Sequence, residues 1–313
     1  MKPSIIGALC LSLAAGIWGG MYVVSKYILN YVSPLALVWF RYALAVSVLF
    51  FIILIMRIRK HERTHLKKND WIMLVWIGFI GYFVSIVCQF TGTKLSDAHT
   101  GSIITSATPA FVVVFARIIL KEALTVKKVL SLVIATTGVV ITIGLPDHPG
   151  DYFWGCLILV LAAVTWALLS VYVKKASATL SSLTITAYAM LFALFFTTPF
   201  MAHDWAAGSV HLESSTIVLG VLYLGIISTA GAFFLWNKGL AMMDAGIGSL
   251  FLFFQPMIGT LLGWLLLGEK LTMGFGIGSV MILLGVAVAA MEKKHEPASG
   301  NADASCSGNT PAK

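Results

Sequence analysis

Pro109 and Pro256 stand 147 residues apart, and so do Glu122 and Glu269. At that spacing Gly78, Gly92, Asp97, Gly101, Ser102, Leu124, Thr125 and Gly138 also meet Gly225, Gly239, Asp244, Gly248, Ser249, Leu271, Thr272 and Gly285. Two apolar helices agree readily in Leu, Ile and Val, but not in a register of glycine, proline and acidic residues. The chain is therefore an internal duplication, and the fold of one copy constrains the other. Nearer the start the spacing is 148, with Gly7, Ala14, Ala15, Trp18 and Lys26 meeting Gly155, Ala162, Ala163, Trp166 and Lys174. One residue was inserted or lost between the two blocks. The units run over 5–145 and 152–291, and the polar Ser, Gly, Ala and Pro-rich stretch 292–313 reads as a disordered tail.

Composition decides the solvent. With 59% hydrophobic residues, 11% charged residues and a mean hydropathy of +0.93, 313 residues carry too little polar surface for a water-soluble globule. About 20 apolar residues cross a bilayer core, and on that criterion the sequence predicts an all-α integral membrane protein. Ten spans are expected, at 5–25, 34–56, 71–91, 98–120, 126–145, 152–173, 183–202, 215–236, 244–267 and 272–291. The first is not a signal peptide, because it recurs at 153–174. Cys10, Cys88, Cys156 and Cys306 offer no disulfide framework and read as small apolar residues.

The net charge of +8 points to membrane orientation rather than to nucleic acid. With the N-terminus inside, Lys2, Arg57, Arg59, Lys60, Arg63, Lys67, Lys68, Lys121, Lys127, Lys128, Lys174, Lys175, Lys238, Lys293, Lys294 and Lys313 all fall on the cytoplasmic side. Lys26, Lys94 and Lys270 fall outside. Both termini are then cytoplasmic. Five spans per unit is an odd number, so the second unit lies upside down relative to the first, as in secondary transporters that bind substrate between inverted repeats.

Ala15-Gly16-Ile17-Trp18-Gly19-Gly20, Ser33-Pro34-Leu35 and the paired runs Glu122-Ala123-Leu124-Thr125 and Glu269-Lys270-Leu271-Thr272 carry a resemblance. Over nearly the whole chain to residue 291 the sequence resembles the EamA branch of the drug/metabolite transporter superfamily. The resemblance implies ten helices in two inverted five-helix units, a bacterial plasma-membrane location, and export of small metabolites such as amino acids or amphipathic drugs.

The residues themselves nominate a site. Pro109 and Pro256 lie inside their spans, where proline removes a backbone hydrogen bond, kinks the helix and offers a hinge. Ser102, Thr105, Ser106 and Pro109 fall on one stripe of the fourth span, a hydroxyl wall. The ninth span presents Phe253 and Gln255 beside Phe251 and Phe254, an aromatic wall. Two such walls would suit a small amphipathic solute. Intramembrane polar residues are costly and nominate function, which brings in Arg41, Gln89 and Asn237. Arg41 is the candidate for a substrate carboxylate. Trp18 and Trp166, repeat partners beside small residues, would place indole donors on a cavity wall; Tyr82 and Tyr188 are further aromatic candidates. Asp97 and Asp244 are expected to cap their own helices, Glu122 and Glu269 to brace turns, and Gly16–Gly20, Gly259–Gly263 and Gly274–Gly278 to allow close helix approach.

His61-Glu62-Arg63-Thr64-His65 matches H-E-x-x-H, the pattern of a helical zinc site. Its surroundings, Arg57, Arg59, Lys60, Arg63, Lys67 and Lys68, repel a dication. P-loop, Rossmann glycine and nucleophile-elbow patterns are absent. The sequence therefore reads as a non-enzymatic carrier without cofactor, metal, nucleic acid or evident protein partner, held in a lipid bilayer and exporting a small amphipathic solute by alternating access. The rival readings are a multidrug exporter and, in another class, a membrane zinc protease.

Overall fold

The computed structural model describes residues 3–29, 31–60, 66–95, 104–105, 108–143, 152–208, 214–267 and 273–290. These residues are helical nearly throughout, with no strand among them. In chain order the helices are α1 (Pro3–Ile28), α2 (Pro34–Lys60), α3 (68–95), α4 (Thr108–Leu120), α5 (Val126–Ile143), α6 (Tyr152–Ala176), α7 (Ser182–Ala206), α8 (Ser215–Met242), α9 (245–267) and α10 (Met273–Ala290). Among the described residues α1, α2, α3, α6, α7 and α8 are each long and apolar enough to cross a membrane; α4 and the apolar stretches Ala245–Gly259 of α9 and Gly276–Gly285 of α10 are shorter. The segment 61–65, with His61, Glu62 and His65, lies outside the described residues.

Local chemistry sets the boundaries. Ser33 accepts the amide of Ala36 at 3.2 Å, and Pro34 follows it at the first helical position, where no amide is needed. Ser181 caps α7 through the amide of Thr184, and Asp70 in the first turn of α3 accepts the amide of Lys67. The starts of α2 and α7 are 148 residues apart, those of α3 and α8 147. The single-residue difference between the repeats therefore falls in the connection before α3, where it displaces no helix. Both repeats share one departure from α geometry: α3 is π-helical over Ile77–Ser85 and α8 over Tyr223–Gly231. Such turns loosen the i→i−4 ladder and turn carbonyls aside.

The main packing partners of each helix come from the opposite half of the chain. α1 lies against α8 and α9, as α6 lies against α3 and α4; α2 crosses α7, and α5 crosses α10. Exchanging the halves maps this set of neighbours onto itself. The glycines show how closely. A Cβ on Gly92 would meet Leu159 and the Gly155 carbonyl, and one on Gly239 would meet Leu11 and the Gly7 carbonyl, each residue being the repeat partner of its counterpart. At the α5–α10 crossing Gly138 abuts Gly278 and Ile282, while Gly285 abuts Ser131 and Ala135, again in exact exchange of partners. These contacts, with Trp39 on Thr198 and Phe50 on Tyr188, run α5 antiparallel to α10 and α2 antiparallel to α7. Within the Gly16–Gly20 run the tight position is Gly19, whose Cβ would lie 2.7 Å from the Gln255 carbonyl; at Gly16 the space is open to 4.0 Å. Close approach is set by which glycine faces α9, and a four-residue spacing alone does not reveal that face.

Candidate functional site

Four helices meet at the centre through aromatic rings. Trp18 of α1, 2% exposed, stands edge-on to Trp166 of α6 at 5.6 Å and to Phe233 of α8 at 5.1 Å, with Trp236 of α8 at 5.4 Å. Phe233 also meets Trp166 at 5.7 Å and Tyr82 of α3 at 4.9 Å. Edge-to-face contacts at these separations are favourable beyond the area they bury. The small residues Ala14, Ala15, Ala162 and Ala163, all buried, leave room for the two tryptophans that follow them.

A polar layer borders these rings. Asn237, buried beside Trp236, donates through Nδ2 to the Tyr82 hydroxyl at 3.0 Å and the Thr186 hydroxyl at 2.8 Å. The Tyr42 hydroxyl donates to the Tyr82 carbonyl inside the π-helical turn. Arg41, about two turns into α2 and 4% exposed, directs Nε to the Thr229 hydroxyl at 3.0 Å and Nη2 to the Met21 sulfur at 3.1 Å. Thr229 in turn donates to the Leu224 carbonyl at 2.7 Å. Trp18 donates its indole N–H to the Ser228 carbonyl at 3.0 Å, in the other π-helical turn. Four buried polar atoms here find no partner among the described residues: Trp166 Nε1, Trp236 Nε1, Asn237 Oδ1 and Ser228 Oγ. An unmet buried donor or acceptor costs about 1–3 kcal/mol, so two N–H donors and one carbonyl beside an aromatic wall are chemically ready for a solute.

Of the residues nominated from sequence, Trp18, Arg41, Trp166 and Asn237 come together in this centre. Gln89 is half-buried on α3, and Thr105 is half-buried in the short described stretch before α4. Ser102 and Ser106 lie outside the described residues, so the hydroxyl wall is not described as a whole. Phe251, Leu252 and Phe253 are buried in a 3-10 turn, Leu250–Phe253, that breaks α9 just ahead of Pro256; Gln255 is half-buried, its carbonyl against Gly19. Pro109 is buried at the second residue of α4. Tyr188 packs peripherally between Phe50 and Trp71. Sequence reasoning passed over Tyr42, Thr186, Phe233 and Trp236. Trp236 had a visible signal, since it is the repeat partner of Gln89 and so breaks the duplication at a polar position.

At the end of the molecule carrying the α4–α5 turn, the expected cap is replaced by another. Asp244 precedes α9 but makes no side-chain hydrogen bond to it. Glu122, from the other half, takes that place, its carboxylate accepting the amides of Ala245 at 2.8 Å and Gly246 at 3.3 Å. Lys128, 3% exposed, stands 3.6 Å from both Glu122 and Asp244. The backbone reverses sharply to deliver Glu122: Lys121 adopts a left-handed φ of 58°, and the Glu122 amide closes on the Ala116 carbonyl. A negative charge at a helix N-terminus is favourable, and here it binds the two halves together.

The EamA-like transporter family model matches the chain twice, over residues 5–144 and 153–291. The chain belongs to the EamA-like transporter family. An uncharacterized transporter of Archaeoglobus fulgidus is 28% identical over 285 residues, covering 90% of this chain and 98% of that protein. The uncharacterized transporter YetK of Bacillus subtilis is 25% identical over 302 residues, covering 95% and 91%. The putative permease-like protein YdzE of the same organism is 57% identical over 75 residues, 24% of this chain and 96% of that protein. Among the solved structures that match is one with a TM-score of 0.74 at 20% identity, covering 92% of this chain and 97% of the other, a likeness of fold. The chain is thus a multi-pass membrane transporter, a family setting that lends no support to a zinc protease.

Proposed function

We propose that this chain is a ten-span carrier of two mutually inverted five-helix units, exporting a small amphipathic solute across a bacterial plasma membrane by alternating access. Antiparallel crossing of α2 with α7 and of α5 with α10 supports the inversion. The one-sided distribution of basic residues supports cytoplasmic termini. Reporters fused after residues 68 and 291 are expected to read as cytoplasmic and one after residue 148 as external. An external loop at 61–67 would overturn the inversion.

The observation that carries the substrate reading is the central layer: unpartnered Trp166 Nε1, Trp236 Nε1 and Asn237 Oδ1 beside the rings of Trp18 and Phe233. It offers both donors and an acceptor against an apolar wall, as an amino acid or related compound requires. The aromatic density also favours the second reading, a multidrug exporter for hydrophobic cations. Arg41, at the edge of the same layer, brings a positive charge that favours a carboxylate-bearing solute over a cation. Quenching of tryptophan fluorescence in the purified protein, titrated with amino acids and with hydrophobic cations, separates them. Saturable quenching by cations alone would reject the amino-acid reading. Pro109 and Pro256, with the 3-10 turn before the latter, serve as hinges of the rocking motion.

A further inference from the structure

Trp18 and Trp166 are repeat partners, 148 residues apart, and Ser228 is the repeat partner of Gly81, 147 residues apart. Exchange of the two halves therefore converts the bond from Trp18 to the Ser228 carbonyl into one from Trp166 to the Gly81 carbonyl. Both carbonyls belong to π-helical turns, Ile77–Ser85 and Tyr223–Gly231. Gly81 already lies against α6, where its Cβ would strike Leu169, three residues beyond Trp166. Only one bond of the pair is made: Trp18 reaches Ser228 at 3.0 Å, while Trp166 Nε1 is buried without an acceptor. The surrounding packing is unequal in the same sense. α8 packs on α6 and α7 of its own half, whereas α3 has only a thin contact with α2.

We propose that these two indoles form a reciprocal switch, Trp18 on Ser228 in the state described and Trp166 on Gly81 in the oppositely facing state. The proposal rests on the inverted-repeat carrier reading above. In such a carrier the halves trade conformations when access alternates, so an interaction made by one half and unmade by its equivalent marks which state is occupied. Glu122 on the α9 amides ties the two halves together at the end that the basic residues assign to the cytoplasm, a contact that an opening there must break. The Trp18 bond thus belongs to the cytoplasm-closed state, and the Trp166 bond to the cytoplasm-open one.

Phenylalanine at either position keeps a ring and removes the N–H. Trp18→Phe deletes a bond of the closed state and an orphan donor of the open state; Trp166→Phe does the reverse. Their effects on the equilibrium must be opposite in sign. The readout is a single cysteine, Ala245→Cys, with Cys10, Cys88, Cys156 and Cys306 replaced by serine. Ala245 is buried beside Val112, Ala116, Ala167 and Val171, and receives Glu122. Its reaction with a membrane-impermeant maleimide in inside-out vesicles reports opening of that end, with no knowledge of substrate. Trp18→Phe is expected to speed labelling about two- to tenfold and Trp166→Phe to slow it by a similar factor, while the double variant returns close to the parental rate. Shifts in the same direction, or no shift in either, would overturn the switch. If a phenylalanine variant fails to insert, leucine at the same position, which also lacks a donor, carries the same expectation. Labelling from the external face alone would overturn the topology, whereas opposite shifts of the two variants would still support the exchange.

Discussion

At the α5–α10 crossing, exchange of the halves keeps every contact position: Gly138 meets Gly278 and Ile282, and Gly285 meets their repeat partners Ser131 and Ala135. At the tryptophan centre the same exchange changes almost everything. Trp18 has an acceptor and Trp166 has none, Gln89 answers to Trp236, Tyr82 to Thr229, and the carboxamide of Asn237 to the ring of Phe90. The duplicated fold holds its helix crossings fixed and lets its centre diverge. Backbone-to-backbone crossings admit no atom larger than hydrogen at their closest point, so both copies keep glycine there. The centre is built from side chains, which can diverge while the crossings hold the helices in place.

The symmetric crossings should respond most strongly to substitution. A Cβ on Gly78 would lie 2.5 Å from the Ala189 carbonyl, and one on Gly225 2.7 Å from the Leu44 side chain. Gly78→Ala and Gly225→Ala should each destabilise the fold by about 3 kcal/mol, read as loss of monodisperse protein in detergent. Gly16→Ala, with open space at 4.0 Å, should be silent. If only one of the repeat partners mattered, the crossings would not be equivalent.

The ionic junction comes next. Glu122→Ala leaves the amides of Ala245 and Gly246 without their acceptor and Lys128 with only Asp244 of its two carboxylates. A loss of about 2 kcal/mol is expected, seen as a lower melting temperature, with Glu122→Gln losing less. Asp244→Asn should do least of the three, because Asp244 is 38% exposed and its pairing is screened.

Substitutions in the asymmetric centre should spare the fold and reach function. Arg41→Lys keeps the charge but cannot span the Thr229 hydroxyl and the Met21 sulfur from one planar group. Solute affinity should fall roughly tenfold with an unchanged melting temperature, measured by fluorescence titration. The smallest effect is expected of Pro256→Ala, which should insert normally and slow transport in proteoliposomes a few-fold by straightening α9. Parental transport rates in that variant would leave proline a packing role.

Much of this was readable beforehand because the duplication supplies a second, independent copy of every signal. Helix starts followed from the apolar runs, Trp18 and Trp166 from their repeat pairing beside small residues, and Arg41 and Asn237 from the cost of placing polar groups among apolar ones. Other features were hidden for physical reasons. The π-helical turns leave no mark in hydrophobic periodicity, so the carbonyls of Tyr82 and Ser228 could not be anticipated as acceptors. Phe233 looks like any apolar helix residue until α1 is laid beside α8. Glu122 acts across 123 residues on a helix whose own Asp244 is the obvious local cap, and only the reversal at Lys121 brings it within reach.

That nearly every close crossing joins a helix of the first half to one of the second also bears on how the protein is made. When the first five helices have been synthesised, the surfaces that Gly78, Gly92 and Gly138 will fill still face lipid. At about 5–20 residues per second, the second half takes on the order of 10–30 seconds to follow. Insertion and assembly must therefore be separate events, with a half-finished protein waiting in the bilayer for its own later segment. The two halves, expressed as separate chains in one cell, should still find each other.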